Sequence, residues 1–305
     1  VQIGIEKNTR LKRISEELEI PYADALKGMM IEEILKRIYT SPYKNNLFMV
    51  NSENLSLNGY TKRNQSSLEL YYIKTIPKKN EEVNPLCTMD LDQKLARKMI
   101  LDIMKNNKNS SIKWTADIFY SENEVQWNLQ GEYKQMEVPI MLHIHQLFEN
   151  VAVQEKETYD FLFLPNEMTI DYVAYSRERL VVDKMFEMLE KLELIDTLKS
   201  YADVNKILKE DTLSGKHIME YVYDLGEKKP RLKKLTPLYQ IENYKDYTYM
   251  RRRWESYEKN HGLKHEEWND VLKRILNFVG PIWKSYCNDE IFVADWMPGL
   301  ERFLV

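Results

Sequence analysis

The sequence predicts an α+β chain: a mixed sheet flanked by helices, followed by an α-helical half. Three observations carry this. Apolar residues recur at helical period through the first 40 positions. Between 47 and 164, short runs rich in β-branched and aromatic residues read as strands. Beyond 172, helical periods dominate. The boundary is therefore expected near 172, with an α+β domain over 1–172, its opening helices within 9–40, and a helical domain over 173–305.

Leu11, Ile14 and Leu18 form a short apolar stripe that stops at Pro21. Proline fits the start of a second helix, where its missing N–H costs nothing. Leu26, Met29, Met30, Ile34, Leu35 and Ile38 continue the helical spacing, and Ser41-Pro42 ends it, because the residue before proline resists the helical region. Strands are expected over 47–50 and 68–76, with a polar helical turn and loop over 51–65. A helix follows at 90–105, carried by Leu91, Leu95, Met99 and Ile103. Then come strands at 112–120, 124–132 and 137–148, the first two joined through Ser121-Glu122-Asn123 as a hairpin, and another at 159–164. The spans 176–194, 199–209, 214–225, 244–260 and 264–286 read as helices. The stretch 228–234, five cations in seven positions around Pro230, reads as a linker or exposed loop.

Composition narrows the function. The 305 residues carry 44 Lys plus Arg against 48 Asp plus Glu, so no global basic excess marks a nucleic-acid binder. Two cysteines, Cys87 and Cys287, exclude a disulfide framework and a Cys-rich zinc site, and suit a reducing cytoplasm. No apolar run reaches the ~18 residues of a membrane span. The first 13 residues hold no signal-peptide core and no initiator Met, which reads as trimming of a few residues. Glycines number 9, and neither G-x-G-x-x-G nor G-x-x-x-x-G-K-[ST] occurs, so those phosphate loops are absent.

Several segments, in order, carry a resemblance. Residues 11–50 give two helices and a Ser-Pro-Tyr-Lys step (41–44) into the first strand. Residues 175–184, Y-S-R-E-R-L-V-V-D-K, are similar to a Y-x-x-E-x-x-x-A-E-K helix, and Lys199-Ser200-Tyr201-Ala202-Asp203 falls where [KR]-D-[FY]-Y-D would follow. Segments 250–257 and 268–281 are similar to W-x-x-Y and F-[LV]-x-P helices. Together they resemble the AbiEii/AbiGii toxin family of bacterial abortive-infection nucleotidyltransferases. The resemblance implies a nucleotidyltransferase-like sheet and three functional features. A G-G-[ST] turn cradles the triphosphate, a D-x-D strand presents two carboxylates to one side, and a third carboxylate on a neighbouring strand completes a Mg²⁺ site.

This chain departs at all three. Asn51-Ser52-Glu53 stands at the glycine turn, Ser67-Leu68-Glu69-Leu70-Tyr71 at the D-x-D strand, and His143 at the third carboxylate. Of three carboxylates one remains, as Glu69, and His with Tyr is a poor replacement for hard oxygen ligands of Mg²⁺. Thr88-Met89-Asp90-Leu91-Asp92 matches T-x-D-x-D as a string, but helical period follows it, so Asp90 is expected to cap a helix.

The remaining constellations have two readings each. His143 and His145 lie two apart on a strand and share a face. They suit a cleft lining more than a metal site that has no third ligand nearby. By the resemblance Lys184, Asp203 and Glu178 bind nucleotide; the alternatives are a Lys184–Asp203 ion pair between helices and a solvated Glu178. Arg251, Arg252 and Arg253, beside Tyr249, Trp254 and Tyr257, suit RNA, or else a helix with core aromatics and solvated arginines. The expected function is a degenerate AbiEii-like protein of a phage-defence or toxin–antitoxin type system. It would be cytoplasmic, need no cofactor, and bind RNA such as tRNA, a nucleotide or an antitoxin-like partner. The enzyme alternative is a Mg-dependent nucleotidyltransferase, NTP to tRNA or protein, using Glu69 with Asp90 or Asp92; a structural scaffold without ligand is the third reading.

Overall fold

The computed structural model describes residues 2–50, 67–77, 82–105, 112–121, 124–147, 154–164 and 169–304. Asn51, Ser52 and Glu53 and the turn residues 122–123 lie outside them. Two compact units divide the chain, Val1–Tyr175 and Ser176–Val305.

The first unit opens with α1 (Gln2–Glu17) and α2 (Tyr22–Thr40). Pro21 is the residue just before α2, in extended backbone, and Ser41 ends the helix by bonding back to the carbonyl of Ile38 at 2.6 Å. Among the described residues seven strands follow: β1 (Leu47–Met49), β2 (Ser67–Ile73), β3 (Lys113–Tyr120), β4 (Glu124–Tyr133), β5 (Met136–Leu147), β6 (Gln154–Asp160) and β7 (Thr169–Tyr175). They form one sheet in the order β3-β4-β5-β2-β1-β7-β6. The pairs β1/β7 and β2/β5 are parallel and the others antiparallel. Helix α3 (Gln93–Lys105) precedes β3.

Alternation sets the faces. Leu68, Leu70 and Tyr72 of β2, Trp127 and Leu129 of β4, and Leu142 and Ile144 of β5 join one buried cluster with Met29, Met30 and Ile34 of α2 and Leu95 and Met99 of α3. A one-residue slip would turn these side chains out of the core, so the register of β2 against β5 is fixed by burial.

One expectation needs correction here. The run 159–164 is not a strand: β6 ends at Asp160, and residues 161–164 wrap the buried carboxylate of Glu32. That carboxylate accepts from the amides of Leu162, Phe163 and Leu164 at 2.6, 2.9 and 2.7 Å. Strand β7, beside β1, lies across the end of the expected first domain.

The second unit is helical: α4 (Arg177–Lys191), α5 (Lys199–Glu210), α6 (Gly215–Lys228), α7 (Thr236–Glu242), α8 (Thr248–His261) and α9 (Trp268–Cys287). A hairpin of β8 (Asp295–Met297) and β9 (Arg302–Leu304) follows α9. Buried tryptophans place the indole N–H on carbonyls, among them Trp268 on Tyr244 at 3.0 Å, Trp283 on Lys234 at 2.9 Å and Trp296 on Leu208 at 2.9 Å. The cationic stretch 228–234 is no free linker. Lys228 pairs with Asp224 at 3.1 Å, Lys229 with Glu190 and Lys233 with Asp289, which docks the turn on its own unit. Among the described residues no helix is long and apolar enough to cross a membrane.

Candidate functional site

The face of the sheet opposite the buried cluster carries the polar residues of β2, β5 and β4. Glu69 stands directly opposite His143, and Tyr71 opposite His145, on the parallel pair β2/β5. On the other side of β5, Glu124 and Gln126 of β4 stand opposite His145 and His143. The side chains pair as two His–carboxylate couples. His145 Nε2 lies 3.5 Å from Glu69 Oε1, and His143 Nδ1 lies 2.5 Å from Glu124 Oε1. All four are partly exposed, from 19% for Glu69 to 33% for Glu124. The ring of Tyr71 meets His145 edge-on at 5.9 Å and Tyr175 at 4.6 Å.

These residues do not fit Mg²⁺. Opposite one another on that face stand Met141, His143 and His145 of β5 and Ser67, Glu69 and Tyr71 of β2. Among these Glu69 is the lone carboxylate; Glu137, an outward carboxylate near the start of β5, lies six residues before His143, roughly 20 Å along the strand. The nearest carboxylate across β5, Glu124, is two strand spacings over and two residues along, roughly 12 Å away at the backbone, and is paired with His143. Among the described residues no three His, Cys, Asp or Glu side chains converge to hold a metal ion.

Asp90 and Asp92 do not repair this. Asp92, not Asp90, caps α3: its Oδ1 accepts from the amide of Leu95 at 2.7 Å. Asp90 instead pairs with Lys74 at 2.8 Å and accepts from Gln146 at 2.9 Å, and the lysine holds its carboxyl below the usual range. Gln146 follows His145 on β5 and points to the opposite face, so Asp90 is on the far side of the sheet from Glu69. The string T-x-D-x-D gives no hint of this, because both its carboxylates serve the approach to a helix.

In the second unit, Glu178 is not a solvated bystander. It accepts from the Ser176 hydroxyl at 3.1 Å and from the amide of Ser214 at 3.3 Å, tying the start of α4 to the start of α6. Lys184 sits one turn from Glu187 at 3.9 Å. Asp203 lies on α5, half-buried.

The arginine run on α8 splits by function. Arg253 donates to the carbonyls of Glu193 at 3.1 Å, Ile195, and Asp196 at 3.1 Å. It also lies 5.4 Å from the ring of Tyr249. Arg251 and Arg252 are exposed. Trp254 is buried and donates to the carbonyl of Glu266 at 2.8 Å. Tyr249 is 60% exposed. Sequence reasoning did not single out His261, whose ring stacks on Tyr257 at 4.0 Å. Its i+4 spacing from Tyr257 was the available signal.

No family model and no curated protein matches the chain. Solved structures similar to it include two from Helicobacter pylori. A candidate nucleotidyltransferase from Helicobacter pylori is 13% identical with a TM-score of 0.41, covering 88% of this chain and 98% of its own. JHP933 from Helicobacter pylori is 13% identical with a TM-score of 0.37, covering 87% of this chain and 92% of its own.

Proposed function

We propose that this chain is a degenerate, AbiEii-like nucleotidyltransferase-fold protein that has lost metal-dependent transfer and acts by binding RNA in a phage-defence or toxin–antitoxin type system. The observation that carries the first half is the opposition of Glu69 to His143. Nucleotidyl transfer of this kind uses carboxylates that share a divalent ion bridging phosphate oxygens and the attacking hydroxyl. A single glutamate paired to a histidine supplies neither the oxygen count nor the charge. The RNA half rests on the aromatic and cationic face of α8, where Tyr249 is exposed beside Arg253.

The test is Mn²⁺ binding followed by paramagnetic resonance, with a non-hydrolysable ATP analogue present. The expected result is no stoichiometric site. A one-to-one Mn²⁺ site abolished by Glu69→Ala would overturn the reading.

A further inference from the structure

We infer that single-stranded RNA binds in the groove between the start of α5 and one stripe of α8, and that the stacking groups are Tyr249 and His261 rather than the arginine run. The inference rests on the RNA reading above and assigns its site.

The groove has a volume of about 400 Å³ and is lined by the segment Asp196 to Lys199 on one side and by Arg253, Ser256, Tyr257, Asn260 and His261 on the other. With Tyr249, the α8 members recur at i, i+4, i+7, i+8, i+11 and i+12, which places them on one helix face. Arg251 falls on the opposite face at 100° per residue. From Tyr249 to His261 the stripe runs roughly 18 Å at 1.5 Å per residue, enough for a short run of nucleotides.

Three features make this stripe suited to single-stranded nucleic acid. Its lower end is a pre-built stack: buried Trp254 against Tyr257 at 6.2 Å, then Tyr257 against His261 at 4.0 Å, with the exposed imidazole outermost. The imidazole is oriented, because Nδ1 lies 2.8 Å from the carbonyl of Tyr257. A carbonyl only accepts, so Nδ1 carries the proton and Nε2 is left toward the ligand. A base laid on this imidazole extends an existing aromatic column without ordering new side chains. The upper end presents Tyr249, 60% exposed, with the guanidinium of Arg253 5.4 Å from its ring. Between the ends lies cationic charge. Arg253 is anchored on backbone carbonyls, which fix its position, and Lys199 lies across the groove from it; the carboxylate of Asp196 at the rim is paired with Lys191 at 3.4 Å. Ser256 and Asn260 add hydrogen-bonding groups for sugar or base edges. Stacked aromatics interleaved with backbone-tracking cations are how sequence-tolerant single-strand binders work.

The experiment is fluorescence polarisation with a labelled single-stranded U12 RNA, on the full chain and on Tyr249→Ala, His261→Ala and Arg251→Ala. Tyr249 and His261 are exposed, so their variants should fold, which thermal melts check. The wild type is expected to bind at low salt and to weaken as salt rises. Tyr249→Ala and His261→Ala should each weaken binding roughly fivefold or more, the effect of losing one stacked base. Arg251→Ala should stay within about twofold, as a cation on the other helix face. Absence of wild-type binding at low salt, wild-type affinity in both aromatic variants, or a loss in Arg251→Ala as large as in His261→Ala would overturn the inference. A Glu69-dependent Mn²⁺ site alongside intact groove dependence would sink the degenerate-enzyme reading and leave the groove standing.

Discussion

Glu69 of β2 and His143 of β5 are directly opposed on neighbouring parallel strands. The register is held by the buried neighbours of each, Leu68 and Leu70 on one strand and Leu142 and Ile144 on the other. A one-residue slip of either strand would turn these apolar side chains out of the core. The register therefore holds Glu69 among imidazoles on this sheet face, and the chemistry the face supports follows from His–carboxylate couples.

The two aspartates before α3 separate cleanly by stability. Asp92→Ala should cost ~1 kcal/mol through the lost bond to the Leu95 amide, and Asp92→Asn should restore most of it. Asp90→Ala, at an exposed position paired with Lys74, should stay within ~0.5 kcal/mol. Urea unfolding of the three variants measures this; equal losses at both alanines would contradict the assignment of the cap.

Glu32 should make stability depend on pH. Burial pushes its carboxyl up to about 7, against hydrogen bonds from Tyr159 and three loop amides that favour the charged form. The folded chain therefore holds this proton where the unfolded chain, with an ordinary carboxyl, has released it. The stabilising contribution is full below the unfolded value and is lost as pH rises toward 7. Relative to Glu32→Gln, the wild type should lose up to ~3 kcal/mol between pH 4.5 and 7. A difference that is flat across that window would contradict it.

Gly28 tests the same corner sterically. A Cβ there would lie 2.4 Å from the ring of Phe163, whose amide bonds to Glu32. Gly28→Ala should destabilise by ~1–3 kcal/mol. A thermal melt unchanged from the wild type would show that the 161–164 loop yields freely.

Much of this architecture was legible in the sequence, for identifiable reasons. Helix α2, strands β2 to β5 and α9 carry long periodic patterns, and a pattern sustained over several turns or alternations outweighs local propensity. Motif spacing puts Glu69 and His143 on neighbouring strands, and β2 and β5 are indeed neighbours with these two residues in register. The misses share a cause: each depends on a partner distant in sequence. Phe161 to Leu164 have strand-like composition, but a carboxylate more than 120 residues earlier takes the amides of Leu162, Phe163 and Leu164. The choice between Asp90 and Asp92 as cap was decided by Lys74 and Gln146, which claim Asp90. Arg253 reads as one of three equivalent cations until the carbonyls of 193–196 single it out. The hairpin of β8 and β9 has strands of three residues, too short for alternation to register.

The measurement that bears most directly on the central claim is label transfer. The pure chain is incubated with each labelled NTP, with Mg²⁺ or Mn²⁺, and with total tRNA, beside a Glu69→Ala variant. The degenerate site predicts no labelled RNA or protein above the level of the variant. Labelled product from the wild type that disappears in Glu69→Ala would contradict the account.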